Sequence, residues 1–145
     1  MLVFDLDSGE GIAWDFVIET ALRLRRMLKD EGLKPWPKLT SGKGLHLMAA
    51  LDPTMNHGQA RAYAKRIAKR LAATAPDRYT IASAPEKRAG RIFIDYLRNG
   101  RGTTAIGAWS PRARPGFPIA APVSWRQIEN GIRPDAFSME KLLRR

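Results

Sequence analysis

Asp5 and Asp7 stand two apart in the run Val3-Phe4-Asp5-Leu6-Asp7, and a third acid, Asp95, is isolated within the apolar run Arg91-Ile92-Phe93-Ile94-Asp95-Tyr96-Leu97. Successive side chains of a strand point to opposite faces, so Asp5 and Asp7 share one face about 6.6 Å apart while Phe4 and Leu6 share the other. Three carboxylates on two neighbouring strands could hold one or two divalent ions, and hard oxygen donors favour Mg²⁺ or Mn²⁺ over zinc. Such a site suits phosphoryl transfer, in which two ions activate an attacking hydroxyl and neutralise the departing oxygen. Plainer roles compete with this one. Asp7-Ser8-Gly9 would serve as a turn. Asp5 needs a partner if buried, and Asp95, between Ile94 and Tyr96, is costly to bury unless paired or metal-bound.

The stretch Thr40-Ser41-Gly42-Lys43-Gly44-Leu45-His46 fits the phosphate side of that chemistry. Gly42 and Gly44 let backbone N–H groups converge on an anion, Ser41 offers a hydroxyl, and Lys43 a mobile positive charge. The P-loop spacing is absent. His46 begins the next strand, where alternation aims it with Lys43 or against it depending on the turn; a strand-end histidine is more often structural. Arg112 and Arg114, two apart in an extended Ser110-Pro111-Arg112-Ala113-Arg114, would project to the same side and could neutralise a triphosphate. A solvated loop is the competing reading.

The elements that must position these groups follow from periodicity. Val17, Ala21, Leu24 and Leu28 predict a helix over residues 14–31, stopped by Gly32; Ala60, Ala64, Ile67 and Leu71 predict a second over 56–74, ended by Pro76. Pro35 and Pro37 make residues 33–37 a connector, and the glycine turn then lies between two strands. Residues 78–82 form a short strand, 83–90 a basic loop and 91–97 the strand carrying Asp95. Residues 119–123, bracketed by Pro118 and Pro122, suit an edge strand. Ser124 caps a short helix through Asn130, and Asp135 or Ser138 starts a last one. The fold class expected is α/β (α+β): one mixed sheet, both main helices packed on one face, and an open acidic metal-binding face on the other.

The 145 residues are long enough for one domain with a core, and 44% hydrophobic with 27% charged residues is ordinary for a globular chain. No apolar run approaches the ~20 residues that span a bilayer, the beginning is unlike a signal peptide, and there is no cysteine, so disulfides and thiolate metal sites are excluded. No membrane association and a cytoplasmic location are expected. The net charge of +11 is unevenly spread: Arg61, Lys65, Arg66, Lys69 and Arg70 lie between Asp52 and Asp77 with no acid among them. Such clustering points to a polyanionic partner.

Taken together, four blocks resemble the polymerase domain of bacterial ligase D, the end-joining branch of the archaeo-eukaryotic primase superfamily. They are Leu2-Val3-Phe4-Asp5-Leu6-Asp7 with Gly9-Glu10-Gly11; Thr40 to His46; Arg91 to Asn99; and Ser110-Pro111-Arg112-Ala113-Arg114-Pro115-Gly116. The resemblance implies that Asp5, Asp7 and Asp95 bind the catalytic Mn²⁺ or Mg²⁺, that Ser41, Lys43 and His46 contact the incoming triphosphate, and that Arg112 and Arg114 neutralise it. It implies DNA ends and nucleoside triphosphates as substrates, a ligase and a Ku-type end-binding protein as partners, and a bacterial, nucleoid-associated location. The family commonly reads Ser-Gly-Gly-Lys-Gly where this chain reads Thr40-Ser41-Gly42-Lys43-Gly44, which makes Thr40 a second candidate for the hydroxyl donor. Family members also carry a long segment before the Asp-x-Asp strand, so the chain is expected to be one domain corresponding to the carboxy-terminal half of the module. Exposed strand edge on such a half could drive homodimerisation. The functions expected are nucleotidyl transfer to DNA 3′ ends in double-strand break repair or, alternatively, noncatalytic nucleic-acid or nucleotide binding; a nuclease or phosphatase reading accounts less well for the Gly-Lys turn and arginine pair.

Overall fold

In a computed structural model, the structure describes residues 1–40, 44–99, 121–134 and 136. Ser41, Gly42, Lys43, Arg112, Arg114 and the expected last helix lie outside the described residues. The elements in chain order are β1 (Leu2–Ser8), α1 (Trp14–Asp30), β2 (Trp36–Leu39), β3 (Gly44–Ala49), α2 (His57–Ala73), β4 (Tyr79–Thr80), α3 (Pro85–Arg88), β5 (Ile92–Asp95), a 3₁₀ turn (Leu97–Asn99), β6 (Ala121–Pro122) and α4 (Trp125–Glu129).

The strands form one sheet in the order β4-β5-β1-β3-β2-β6, antiparallel except for the β4–β5 pair. Alternation along β1 sorts its side chains as expected. Leu2, Phe4 and Leu6 join Leu45 and Leu47 of β3 and Ile92 and Ile94 of β5 in one core, against the buried stripes of α1 (Val17, Ala21, Leu24, Leu28) and α2 (Ala64, Ile67, Leu71). Both long helices therefore cover the same face, and Asp5 and Asp7 point to the opposite one.

The helix ends match their sequence signals. The Asn56 side chain accepts from the Gln59 N–H at 2.8 Å while the Gln59 side chain accepts from the Asn56 N–H at 3.0 Å, a reciprocal cap that starts α2. Ser124 and Gln127 repeat the device at α4. Gly32, at φ 82°, ends α1 in a left-handed conformation that few other residues adopt without strain.

Several boundaries differ from expectation. The connector assigned to residues 33–37 ends early, because β2 begins at Trp36 and includes Pro37. The Pro37 carbonyl accepts from the Val123 N–H at 3.2 Å, on the side away from β3. N and O of one strand residue point the same way, so the N–H that proline lacks would face β6 and the β2–β3 ladder loses nothing. The basic loop at 83–90 contains the single-turn helix α3, with Pro85 at its first position, where a missing N–H is harmless. The strand assigned to 91–97 stops at Asp95, because the Asp95 carboxylate accepts from the Leu97 N–H at 2.9 Å and turns the chain. Residues 78–82 pair only at Tyr79 and Thr80. The expected edge strand appears as Ala121–Pro122 on β2.

Candidate functional site

Cross-strand register builds the site. Asp5 stands directly opposite His46 of β3 on one side and directly opposite Asp95 of β5 on the other, and His46 stands opposite Lys38 of β2. Directly opposed residues share a face, so Lys38, His46, Asp5 and Asp95 form one polar row across four strands. Asp7, two residues along β1, lies beside that row and opposite Gly44 and Phe93. The structure thus brings Asp5, Asp7, Asp95, Gly44 and His46 together on the face away from the helices.

That face is less open than expected: Lys38 is 6% and His46 3% exposed. Part of the cover comes from Arg88, whose guanidinium lies 4.8 Å from the Phe93 ring centroid and donates to the Asp7 carboxylate. Gly9 makes this possible. Its N–H donates to the Arg91 carbonyl at 2.8 Å, and any Cβ there would strike the Arg88 backbone, so only glycine lets the α3 loop lie against the end of β1.

The carboxylates are each engaged. Asp5 lies 3.4 Å from His46 Nε2, Asp7 is paired with Arg88, and one Asp95 oxygen caps the 3₁₀ turn. Among the described residues no three carboxylate or imidazole groups converge closely enough to enclose a metal ion. Burial is the main influence pushing the Asp7 pKa above the ordinary carboxylate value and the Asp5 charge adds to it, with Arg88 opposing.

The residues nonetheless fit a divalent cation in type. All three acids are hard oxygen donors. Gly44 lets the backbone of β3 pack closely beside them: a Cβ there would come within 3.1 Å of Thr40 Oγ1 and 3.2 Å of Asp5 Oδ1. His46 Nδ1 is buried with no hydrogen-bond partner, and a buried polar atom in that condition is costly.

Thr40 has a definite task. Its hydroxyl donates to the Gly44 carbonyl at 2.9 Å, clasping the two ends of the glycine turn. Two residues that bear on the site were not singled out from the sequence. Lys38 faces the acids from β2, and burial lowers its pKa, partly offset by the Asp5 charge; the alternation of Trp36-Pro37-Lys38-Leu39 would have aimed it there had this stretch been read as strand. Asn99 is buried and joins the chain after Asp95 to β1. Nothing local distinguishes it from a turn asparagine.

Comparison with known proteins concerns the chain as a whole. The family model described as "LigD, primase-polymerase domain" matches residues 1–145. The multifunctional non-homologous end joining protein LigD of Pseudomonas aeruginosa is 34% identical over 128 residues, covering 88% of this chain and 15% of that protein. The corresponding DNA repair protein of Mycobacterium tuberculosis is 37% identical over 129 residues, covering 89% of this chain and 17% of its own length. Among solved structures, the polymerase domain of Mycobacterium tuberculosis ligase D in complex with DNA superposes with a TM-score of 0.86 at 37% identity, covering 91% of this chain and 46% of that one. The chain therefore spans less than half of the solved domain and about a sixth of these two full-length relatives.

Proposed function

The chain belongs to the LigD primase-polymerase domain family, and from that premise we propose that it is the carboxy-terminal half of a metal-dependent nucleotidyltransferase that extends DNA 3′ ends in end joining. The observation that carries this reading is the placement of Asp5 directly opposite Asp95. Like charges directly opposed on neighbouring strands destabilise a sheet, and a divalent cation held by these carboxylates would offset that repulsion. Asp5, Asp7 and Asp95 would hold Mn²⁺ or Mg²⁺, which when bound supplies neutralisation of phosphate charge and activation of the attacking hydroxyl.

This chain's own residues do the rest. The turn closed by Thr40 and Gly44 cradles the triphosphate through backbone N–H groups. Because Thr40 gives its proton to the Gly44 carbonyl, Ser41 is the better hydroxyl donor, and Lys43 supplies the mobile charge. His46 holds Asp5 through Nε2 beside the triphosphate. Arg112 and Arg114 neutralise the pyrophosphate as the primer 3′-hydroxyl attacks the α-phosphorus. DNA ends and nucleoside triphosphates are the substrates, with a ligase and a Ku-type protein as partners.

Primer extension with labelled nucleoside triphosphate and Mn²⁺ tests the reading. Extension abolished by Asp95→Ala is the expected result. That no three metal-ligating groups converge among the described residues supports one alternative, a noncatalytic nucleotide- or DNA-binding piece. DNA binding without extension at any Mn²⁺ concentration would assign the isolated chain to it.

A further inference from the structure

The two long helices share a face of the sheet but carry their charges differently. On α1, Arg23 pairs with Glu19 at 2.9 Å and Arg25 with Glu129 of α4 at 2.9 Å. On α2 there is no acid at all. Its inner stripe of Ala60, Ala64, Ile67, Ala68 and Leu71 is buried, and Arg61, Lys65, Arg66, Lys69 and Arg70 are all exposed. Arg70 reaches Glu31 at 2.9 Å and Arg66 lies over the Tyr63 ring. Among the described residues no carboxylate pairs with Arg61, Lys65 or Lys69.

This arrangement works against the helix that carries it. Arg61 and Lys65, Lys65 and Lys69, and Arg66 and Arg70 are like-charged pairs four residues apart, which lie side by side on a helix and repel. Arg61, Lys65 and Lys69 make a single ridge about 12 Å long, a length that meets several phosphates of one nucleic-acid strand. Because α2 packs against the face opposite to Asp5 and Asp95, the ridge points away from the carboxylates and cannot serve the same stretch of substrate as the metal site.

The geometry points to the outer face of α2 as a second DNA-binding surface, one that grips the phosphate backbone of duplex DNA without reading sequence. It would anchor DNA independently of the end held at the catalytic face. The proposal rests on the reading of DNA as this chain's partner, but not on the chain being catalytic.

Binding of a short blunt fluorescein-labelled duplex, followed by anisotropy across a salt series, tests it. The triple substitution Arg61→Gln, Lys65→Gln, Lys69→Gln is expected to make the slope of log K against log salt shallower by about 2 to 3, since each lost phosphate contact removes about 0.9, and to weaken binding at least several-fold. The charge-preserving double variant Lys65→Arg, Lys69→Arg should keep the original slope. Thermal melting should show the triple variant no less stable, because repulsion has been removed. An unchanged slope in the triple variant overturns the proposal, as does binding of the unsubstituted chain to phosphatidylserine vesicles but not to duplex. Loss of primer extension in Asp95→Ala with duplex binding intact bears on the catalytic reading alone, so the two can fail separately.

Discussion

The side chain of Asn99 forms with Val3 the two-way exchange that a neighbouring strand residue would form: Asn99 Oδ1 accepts from the Val3 N–H at 2.7 Å and Nδ2 donates to the Val3 carbonyl at 2.7 Å. β5 ends at Asp95, yet its edge of β1 is still satisfied four residues further along the chain. A third bond, from Nδ2 to the Tyr96 carbonyl at 2.7 Å, ties this to the turn that follows Asp95. Replacing Asn99 with Ala should therefore leave a buried N–H and carbonyl of β1 unpaired and cost about 2–4 kcal/mol. Chemical denaturation of the two proteins measures it, and a loss below about 0.5 kcal/mol would show that water takes over the role.

The opposition of Asp5 and Asp95 makes a prediction of opposite sign. Asp95→Asn keeps an acceptor for the Leu97 N–H and removes one of the two facing charges, so the variant should be more stable than the parent in chelator by about 0.2–1 kcal/mol. Added Mn²⁺ should stabilise the parent and not the variant. A parent whose melting temperature ignores Mn²⁺ would argue against a metal at this face.

Asp7 gives the site a pH dependence. Its folded pKa is raised above 3.8, by burial first and by Asp5 second, so in the interval between the unfolded and folded values the native state binds more protons. Stability from this group is therefore greatest below the unfolded pKa and is lost as pH rises through the folded one. Denaturation in chelator across the acid range should show that loss, and Asp7→Asn should flatten it. The side chain is too solvent-accessible for the effect to be large.

Gly44 separates binding from folding. Gly44→Ala puts a methyl group within 3.1 Å of Thr40 Oγ1 and 3.2 Å of Asp5 Oδ1, tighter than ordinary contact, so it pushes aside a carboxylate proposed to hold the metal. Stability should change by about 1 kcal/mol, whereas Mn²⁺ and nucleotide affinity, read by calorimetry, should fall at least tenfold. Undiminished affinity would place the ligand elsewhere.

The amino-acid sequence by itself determined the two-residue alternation of β1, and with it the division of Phe4 and Leu6 from Asp5 and Asp7. It also determined both long helices, whose stripes and caps are local patterns that hold whatever they pack against. The tertiary structure decided which residues meet. Register set Asp5 between His46 and Asp95 and brought Lys38 into the same row, because pairing depends on where connections that carry both long helices place separate strands. Gly9 let the α3 loop approach and deliver Arg88 to Asp7 from 81 residues away. Pro37 read as a strand breaker because the direction of its missing N–H, toward β6 and away from the β3 ladder, exists only once both neighbours are in place. Short-range spacing determines which side of its own element a residue faces, and long-range pairing determines what it faces there.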